Sequence, residues 1–251
     1  LDNNQQKVRL YLSDGQGYDV SSPLSLTVGA FITDDPLTSA PESVIFPGDF
    51  NGDGVVDFAY AYKIPATNLG IIKTWLFSGT NWVSGGQTNQ FTWRDDGDFM
   101  GIDSNGDGRT DLVHIYKDSS QEKLTLWKSL GDSFASPTTP QTIDTWRDER
   151  RYHQVDLDGD GKGDLARLTK NSSNLEAAYW TSNGLVPDLL TEVTDGLGAK
   201  SAVEYKALSN DIVHEDSSSS LAYPNVPYVG GLHVVHKLGK DDGVGVAAGD
   251  Y

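Results

Sequence analysis

Asp103-Ser104-Asn105-Gly106-Asp107-Gly108-Arg109-Thr110-Asp111 puts oxygen-bearing side chains at positions 1, 3, 5 and 9 of a nine-residue loop, with glycine at positions 4 and 6. Glycine lets the backbone fold tightly around a point. The pattern suits a hard cation such as Ca²⁺, which takes roughly six to eight oxygens from carboxylates, amides and a backbone carbonyl. The same arrangement recurs at Asp49-Phe50-Asn51-Gly52-Asp53-Gly54-Val55-Val56-Asp57 and at Asp156-Leu157-Asp158-Gly159-Asp160-Gly161-Lys162-Gly163-Asp164. The predicted ligands are the side chains of Asp49, Asn51, Asp53 and Asp57, of Asp103, Asn105, Asp107 and Asp111, and of Asp156, Asp158, Asp160 and Asp164. The position-7 carbonyls of Val55, Arg109 and Lys162 complete the three sets, for about three Ca²⁺ per chain. The third loop carries four Asp where the others have three and an Asn, so charge count predicts that it holds its ion most tightly.

These are not EF-hands. An EF-hand loop closes on a bidentate Glu at position 12 and runs into a helix. Position 12 here is Tyr60, His114 and Arg167. Each ninth-position Asp is followed by a short run, such as Phe58-Ala59-Tyr60-Ala61-Tyr62 or Leu112-Val113-His114-Ile115-Tyr116, that reads as a strand. Each loop therefore leads into a β-strand.

The first aspartates of the loops fall 54 and 53 residues apart. A fixed period of this size marks a repeat architecture. More than the loop repeats: Thr92-Trp93-Arg94-Asp95 and Thr145-Trp146-Arg147-Asp148 each place a Trp ten residues ahead of a loop. The first repeat has Ser39-Ala40-Pro41-Glu42 instead. A strand ending near a Ser-Gly turn recurs at Trp75-Leu76-Phe77-Ser78, Leu126-Trp127-Lys128-Ser129 and Tyr179-Trp180-Thr181-Ser182, with an earlier version at Leu10-Tyr11-Leu12-Ser13. About four short strands per repeat is the size of a propeller blade. The tryptophans are read as core, and Trp-Arg-Asp as a latch between repeats.

The predicted class is all-β: a partial β-propeller of about three to four four-stranded blades with calcium loops over residues 1–190, then additional β-strands over 191–251. In the second part, Thr194-Asp195-Gly196-Leu197-Gly198 leads into an alternating strand ending Val203-Glu204-Tyr205. Glu215-Asp216-Ser217-Ser218-Ser219-Ser220 is a polar loop, and Leu232-His233-Val234-Val235-His236-Lys237-Leu238 another strand.

Composition sets the remaining bounds. The 251 residues carry a net charge of −17, which would be only −7 without the ten loop acids. Such a surface repels nucleic acid and anionic membrane. No apolar run approaches the ~18 residues of a transmembrane helix. The absence of Cys rules out disulfides and a thiol nucleophile. The chain starts at Leu1 without a Met or a signal segment and is read as a processed product or a fragment. Most acids are committed to the loops, and the five histidines lie far apart in sequence. The chain is therefore expected not to be an enzyme.

The loops resemble the FG-GAP/VCBS repeats of integrin-type propellers, the VCBS form more closely. The tail, with Thr194-Asp195-Gly196-Leu197-Gly198, Val203-Glu204-Tyr205, Tyr223-Pro224, Leu232-His233-Val234-Val235 and Asp242-Gly243, resembles the region after the propeller in bacterial Tc-toxin B components and SpvB/Rhs-like toxin proteins. That resemblance implies a secreted, extracellular bacterial protein in which propeller and β-shell enclose a toxic cargo and dock on a pore-forming component. The implied partners are other toxin-complex subunits or the remaining parts of a parent polypeptide. The alternative is a free-standing calcium-dependent lectin or adhesion propeller that binds glycan. About three to four blades suggest an open arc whose exposed edges pair with another copy or with missing parts of the parent, whereas a closed ring built from this chain would favour the lectin.

Overall fold

The computed structural model describes residues 5–11, 17–18, 20–21, 23–30, 43–64, 67–171, 173–184, 186, 189–210, 212–213 and 231–241. All of its named elements are strands: β1 Gln5–Leu10, β2 Leu24–Ala30, β3 Ser43–Gly48, β4 Asp57–Lys63, β5 Leu69–Phe77, β6 Trp82–Gln87, β7 Phe91–Thr92, β8 Asp98–Ile102, β9 Asp111–Asp118, β10 Gln121–Trp127, β11 Gln141–Thr145, β12 Arg150–Val155, β13 Asp164–Asn171, β14 Asn174–Trp180, β15 Glu192–Thr194, β16 Lys200–Ala207 and β17 His233–Lys240. Every pairing between them is antiparallel. No described residue is helical, and no described helix is long and apolar enough to cross a membrane. Several expected features fall outside the described residues: Ser39 to Glu42, His214, Glu215 to Ser220, Tyr223-Pro224 and Asp242-Gly243.

Strand order follows the sequence repeat. β3-β4-β5-β6 form one sheet, with β7 pairing β5, and β8-β9-β10-β11 form the next. Among the described residues the third repeat gives β12-β13-β14. In each repeat the strand after the loop begins at the ninth-position Asp itself: Asp57, Asp111 and Asp164. The residue after that Asp sits opposite a Trp on the next strand, as Phe58–Trp75, Leu112–Trp127 and Leu165–Trp180. No closed barrel or ring is formed by the described sheets, and the tail strands make a separate sheet, β15-β16-β17.

The chain divides into two compact units. One comprises Leu1–Ile102 with Gly108–Asp148, the other Asp103–Asp107 with Glu149–Tyr251. This division falls earlier than the 190/191 boundary read from the sequence. The core of the first unit gathers Phe46, Phe50, Ala59, Ala61, Ile72, Trp93, Leu112, Trp127 and Phe134. In the second unit, Leu165, Arg167 and Thr169 on β13 are 4% exposed. Of the six tryptophans, Trp93 and Trp127 are fully buried, while Trp75, Trp82, Trp146 and Trp180 are only half-buried.

The Trp-Arg-Asp segment ties consecutive repeats in the first unit. The Trp93 N–H donates to Asn68 O in the β4–β5 turn, as Trp146 N–H donates to Ser120 O in the β9–β10 turn. Asp95 reaches back to Lys63 at 3.2 Å, while the Arg94 guanidinium lies 5.2 Å from the ring of Tyr116 on β9. One tripeptide thus contacts the turn behind it and the strand ahead of it.

Candidate metal centre

The three loops fold on themselves in the same way. The position-1 carboxylate accepts backbone N–H groups from positions 4 and 5. For Asp49 these come from Gly52 at 2.7 Å and Asp53 at 3.2 Å, for Asp103 from Gly106 at 2.8 Å and Asp107 at 3.2 Å, and for Asp156 from Gly159 at 2.7 Å and Asp160 at 3.2 Å. In the first and third loops its second oxygen also accepts the position-6 N–H, from Gly54 and Gly161. The position-3 side chain accepts the position-5 N–H in all three. Both glycines of every loop have φ between +72° and +81°, a region that L side chains rarely adopt. The pattern is local, and it is the reason nine residues suffice to specify the turn.

The ninth-position Asp is different in kind. Asp57, Asp111 and Asp164 are each fully buried. Asp57 Oδ2 accepts the Phe50 N–H and its Oδ1 accepts the Phe77 N–H. Asp164 repeats this with the Leu157 and Ser182 N–H groups, and Asp111 Oδ1 accepts the Ser129 N–H. In the first and third loops the carboxylate clamps the second residue of its own loop to the end of the next strand, β5 and β14. Burial, with Asp53 and Asp49 nearby, pushes the Asp57 carboxyl up from its usual range despite those hydrogen bonds.

Consecutive loops are also linked. The position-8 N–H of one loop donates to the position-1 carbonyl of the loop before: Thr110 to Asp49 O at 2.6 Å, and Gly163 to Asp103 O at 2.5 Å. The position-7 side chain lies on the preceding position-4 glycine. A methyl at Gly52 would sit 3.2 Å from Arg109 Cγ, and one at Gly106 would sit 3.2 Å from Lys162 Cγ. The third loop has no successor of its own kind. Ser209 takes the equivalent place at Gly159, and the Gly231 backbone crosses Gly161. The residues just after β16 and just before β17 thus cover the loop as a next repeat would.

These residues fit a hard divalent cation. Every donor is oxygen, and in the third loop one carboxylate oxygen each from Asp156, Asp158 and Asp164 lie within 4.8 Å of one another. Burial and the neighbouring Asp160, Asp164 and Asp156 push the Asp158 carboxyl up, a crowding that a cation would relieve. Asp160, the fourth carboxylate expected there, is not in this group. Its Oδ2 lies 2.6 Å from Lys162 Nζ. In the first loop Asp53 Oδ2 accepts the Asn51 amide at 3.0 Å, and Asp107 with Asn105 does the same in the second. Sequence reasoning counted Lys162 for its carbonyl and passed over its ammonium; the signal was a Lys two residues after the position-5 Asp.

Among the described residues no histidine joins a group that could hold a metal. His114 is buried in an aromatic stack, His153 lies on β12, and His233 and His236 lie on β17. No curated protein matches the chain. Residues 128–245 match the family model described as the insecticide toxin TcdB middle/N-terminal region. The matched stretch contains the third loop and the strands from β11 to β17. This match, over just under half of the chain, supports a Tc-toxin B-component-related region here.

Proposed function

We propose that the chain is a non-catalytic, calcium-binding structural and protein-binding segment of a secreted bacterial toxin-complex B component. The observation that carries this reading is the TcdB match over residues 128–245. The repeated sheets are consecutive blades of a propeller arc, and β15-β16-β17 begin the shell that holds a toxic cargo. The loops sit at the head of β4, β9 and β13, where a cation would fix the angle at which each sheet starts. Calcium at such a place is a staple: it stabilises the folded form through its preference for that form over the unfolded chain. The partners are other subunits of the complex or the rest of the parent polypeptide.

The reading is tested by co-elution of the protein carrying this chain with a toxin-complex pore-forming component, with and without chelator. Co-elution that weakens when calcium is removed supports it. Failure to associate under both conditions, together with binding to immobilised glycans, would favour the free-standing lectin.

A further inference from the structure

We infer that the ammonium of Lys162 is a built-in occupant of the third loop, one that neutralises Asp160 and must be displaced before a divalent cation can use that carboxylate. The inference rests on the calcium reading above and adds to it which loop resists loading, and why.

Lys162 holds Asp160 from both ends. Its Nζ lies 2.6 Å from Asp160 Oδ2, and its own backbone N–H donates to Asp160 Oδ1 at 3.0 Å. The same Nζ donates to Gly184 O at 3.0 Å. The residue is only 8% exposed, and its stem lies against Gly106. A lysine so enclosed is not a surface side chain that happens to meet an acid. Its rotamer is set by packing and its charge is held by two oxygens. The three remaining carboxylates of the loop converge without Asp160.

The first loop differs at this place, whereas position 7 of the second carries another cation, Arg109. Position 7 of the first loop is Val55, which has no charge, and its Asp53 Oδ2 meets the neutral amide of Asn51. A cation approaching that loop displaces an amide hydrogen bond. At the third loop it must part a short, partly enclosed ion pair, whose attraction is stronger than that of an exposed one. The Lys162 charge also offsets one of the four acids that made this loop look the tightest. Charge count and this ion pair therefore predict opposite rankings of the first and third loops, and the ion pair places the third below the first.

Calorimetric titration of the chelator-treated chain with Ca²⁺ alone decides between them. The expected result is that the site lost in Asp156→Ala is at least tenfold weaker than the site lost in Asp49→Ala. Lys162→Met keeps the stem on Gly106 and removes the charge. It should tighten the weak site tenfold or more and leave the other two unchanged. Lys162→Gln should shift it in the same direction, which guards against one variant failing to fold. In Asp160→Asn the further change Lys162→Met should have little effect, because the partner is already gone. In chelator Lys162→Met should melt below the parent, a difference that shrinks or reverses in excess calcium. First and third sites of equal strength in the parent, or a weak site indifferent to both Lys162 variants, would overturn the inference while leaving the calcium reading intact. Binding at no loop overturns the calcium reading, and the inference with it.

Discussion

Phe99 lies flat against the imidazole of His114, with ring centroids 4.0 Å apart and planes 2° from parallel. Phe91 and Trp127 complete the surroundings, His114 Nε2 has no hydrogen-bond partner, and the residue is 1% exposed. Burial and the nearby Arg94 hold this histidine down to about 3. Its folded form is therefore neutral wherever an unfolded histidine, near 6.5, would begin to take a proton. The unfolded state binds more protons below that point, so stability falls as pH falls. The loss should approach about 1.4 kcal/mol per pH unit in the window from ~6 to 5, above the range where most carboxylates titrate. Denaturant unfolding of the parent and His114→Leu across this window measures it; the variant should show the shallower slope. An imidazole that titrates near 6.5 by NMR in the folded protein would sink the idea.

Asp57 illustrates a second kind of dependence, one that needs no metal. Its two oxygens satisfy the Phe50 and Phe77 N–H groups from a fully buried position. Asp57→Ala leaves both donors without that partner, which should cost about 2–4 kcal/mol. Asn51→Ala removes an exposed-loop acceptor and should cost far less under the same conditions. Unfolding of both variants in excess chelator gives the comparison. Equal losses would mean that the ninth-position carboxylate is only a ligand and not a clamp.

The loops and the strands that follow them were legible because their determinants are local. An Asp whose side chain caps the next few N–H groups, with glycine where φ is positive, is written in nine consecutive residues. The consecutive strand order of the first two sheets followed from the same period. What was not legible is long-range. Nothing around Ser209 or Gly231 announces that they cover Gly159 and Gly161, and the Thr110–Asp49 bond spans 61 residues. The buried polar residues at position 12, Tyr60 and His114 in the first unit and Arg167 in the second, were hidden for another reason. An alternation argument counts apolar side chains, so a polar residue inside a strand reads as solvent-facing.

Calcium should raise the melting temperature. A ligand that binds only the folded state adds about 2.7 kcal/mol per site at a hundredfold excess over its Kd. With Lys162 holding the third loop back, the first loop should contribute to the gain at lower calcium than the third. Asp49→Ala and Asp103→Ala should each remove a share of it. Thermal melts with chelator and with graded calcium provide the measurement. An unchanged melt, with no calcium retained after desalting, would rule the effect out.

The last expectation concerns the outer strand of the third repeat. β14 is the edge of its sheet among the described residues, where the two earlier sheets carry a further strand. Leu175 and Tyr179, two strand steps apart on either side of Ala177 and so on one face, are 71% and 68% exposed. An exposed edge with apolar side chains is a template for pairing with another chain, and a lysine there is a common means of blocking it. Tyr179→Lys should therefore reduce concentration-dependent association of the isolated chain, read by sedimentation velocity at several concentrations. Because Tyr179 is largely solvent-exposed, the substitution should leave the melting temperature within a few degrees of the parent. If the parent is monomeric at every concentration, this edge does not pair with a second copy. If the variant associates as strongly as the parent, the association runs through another surface.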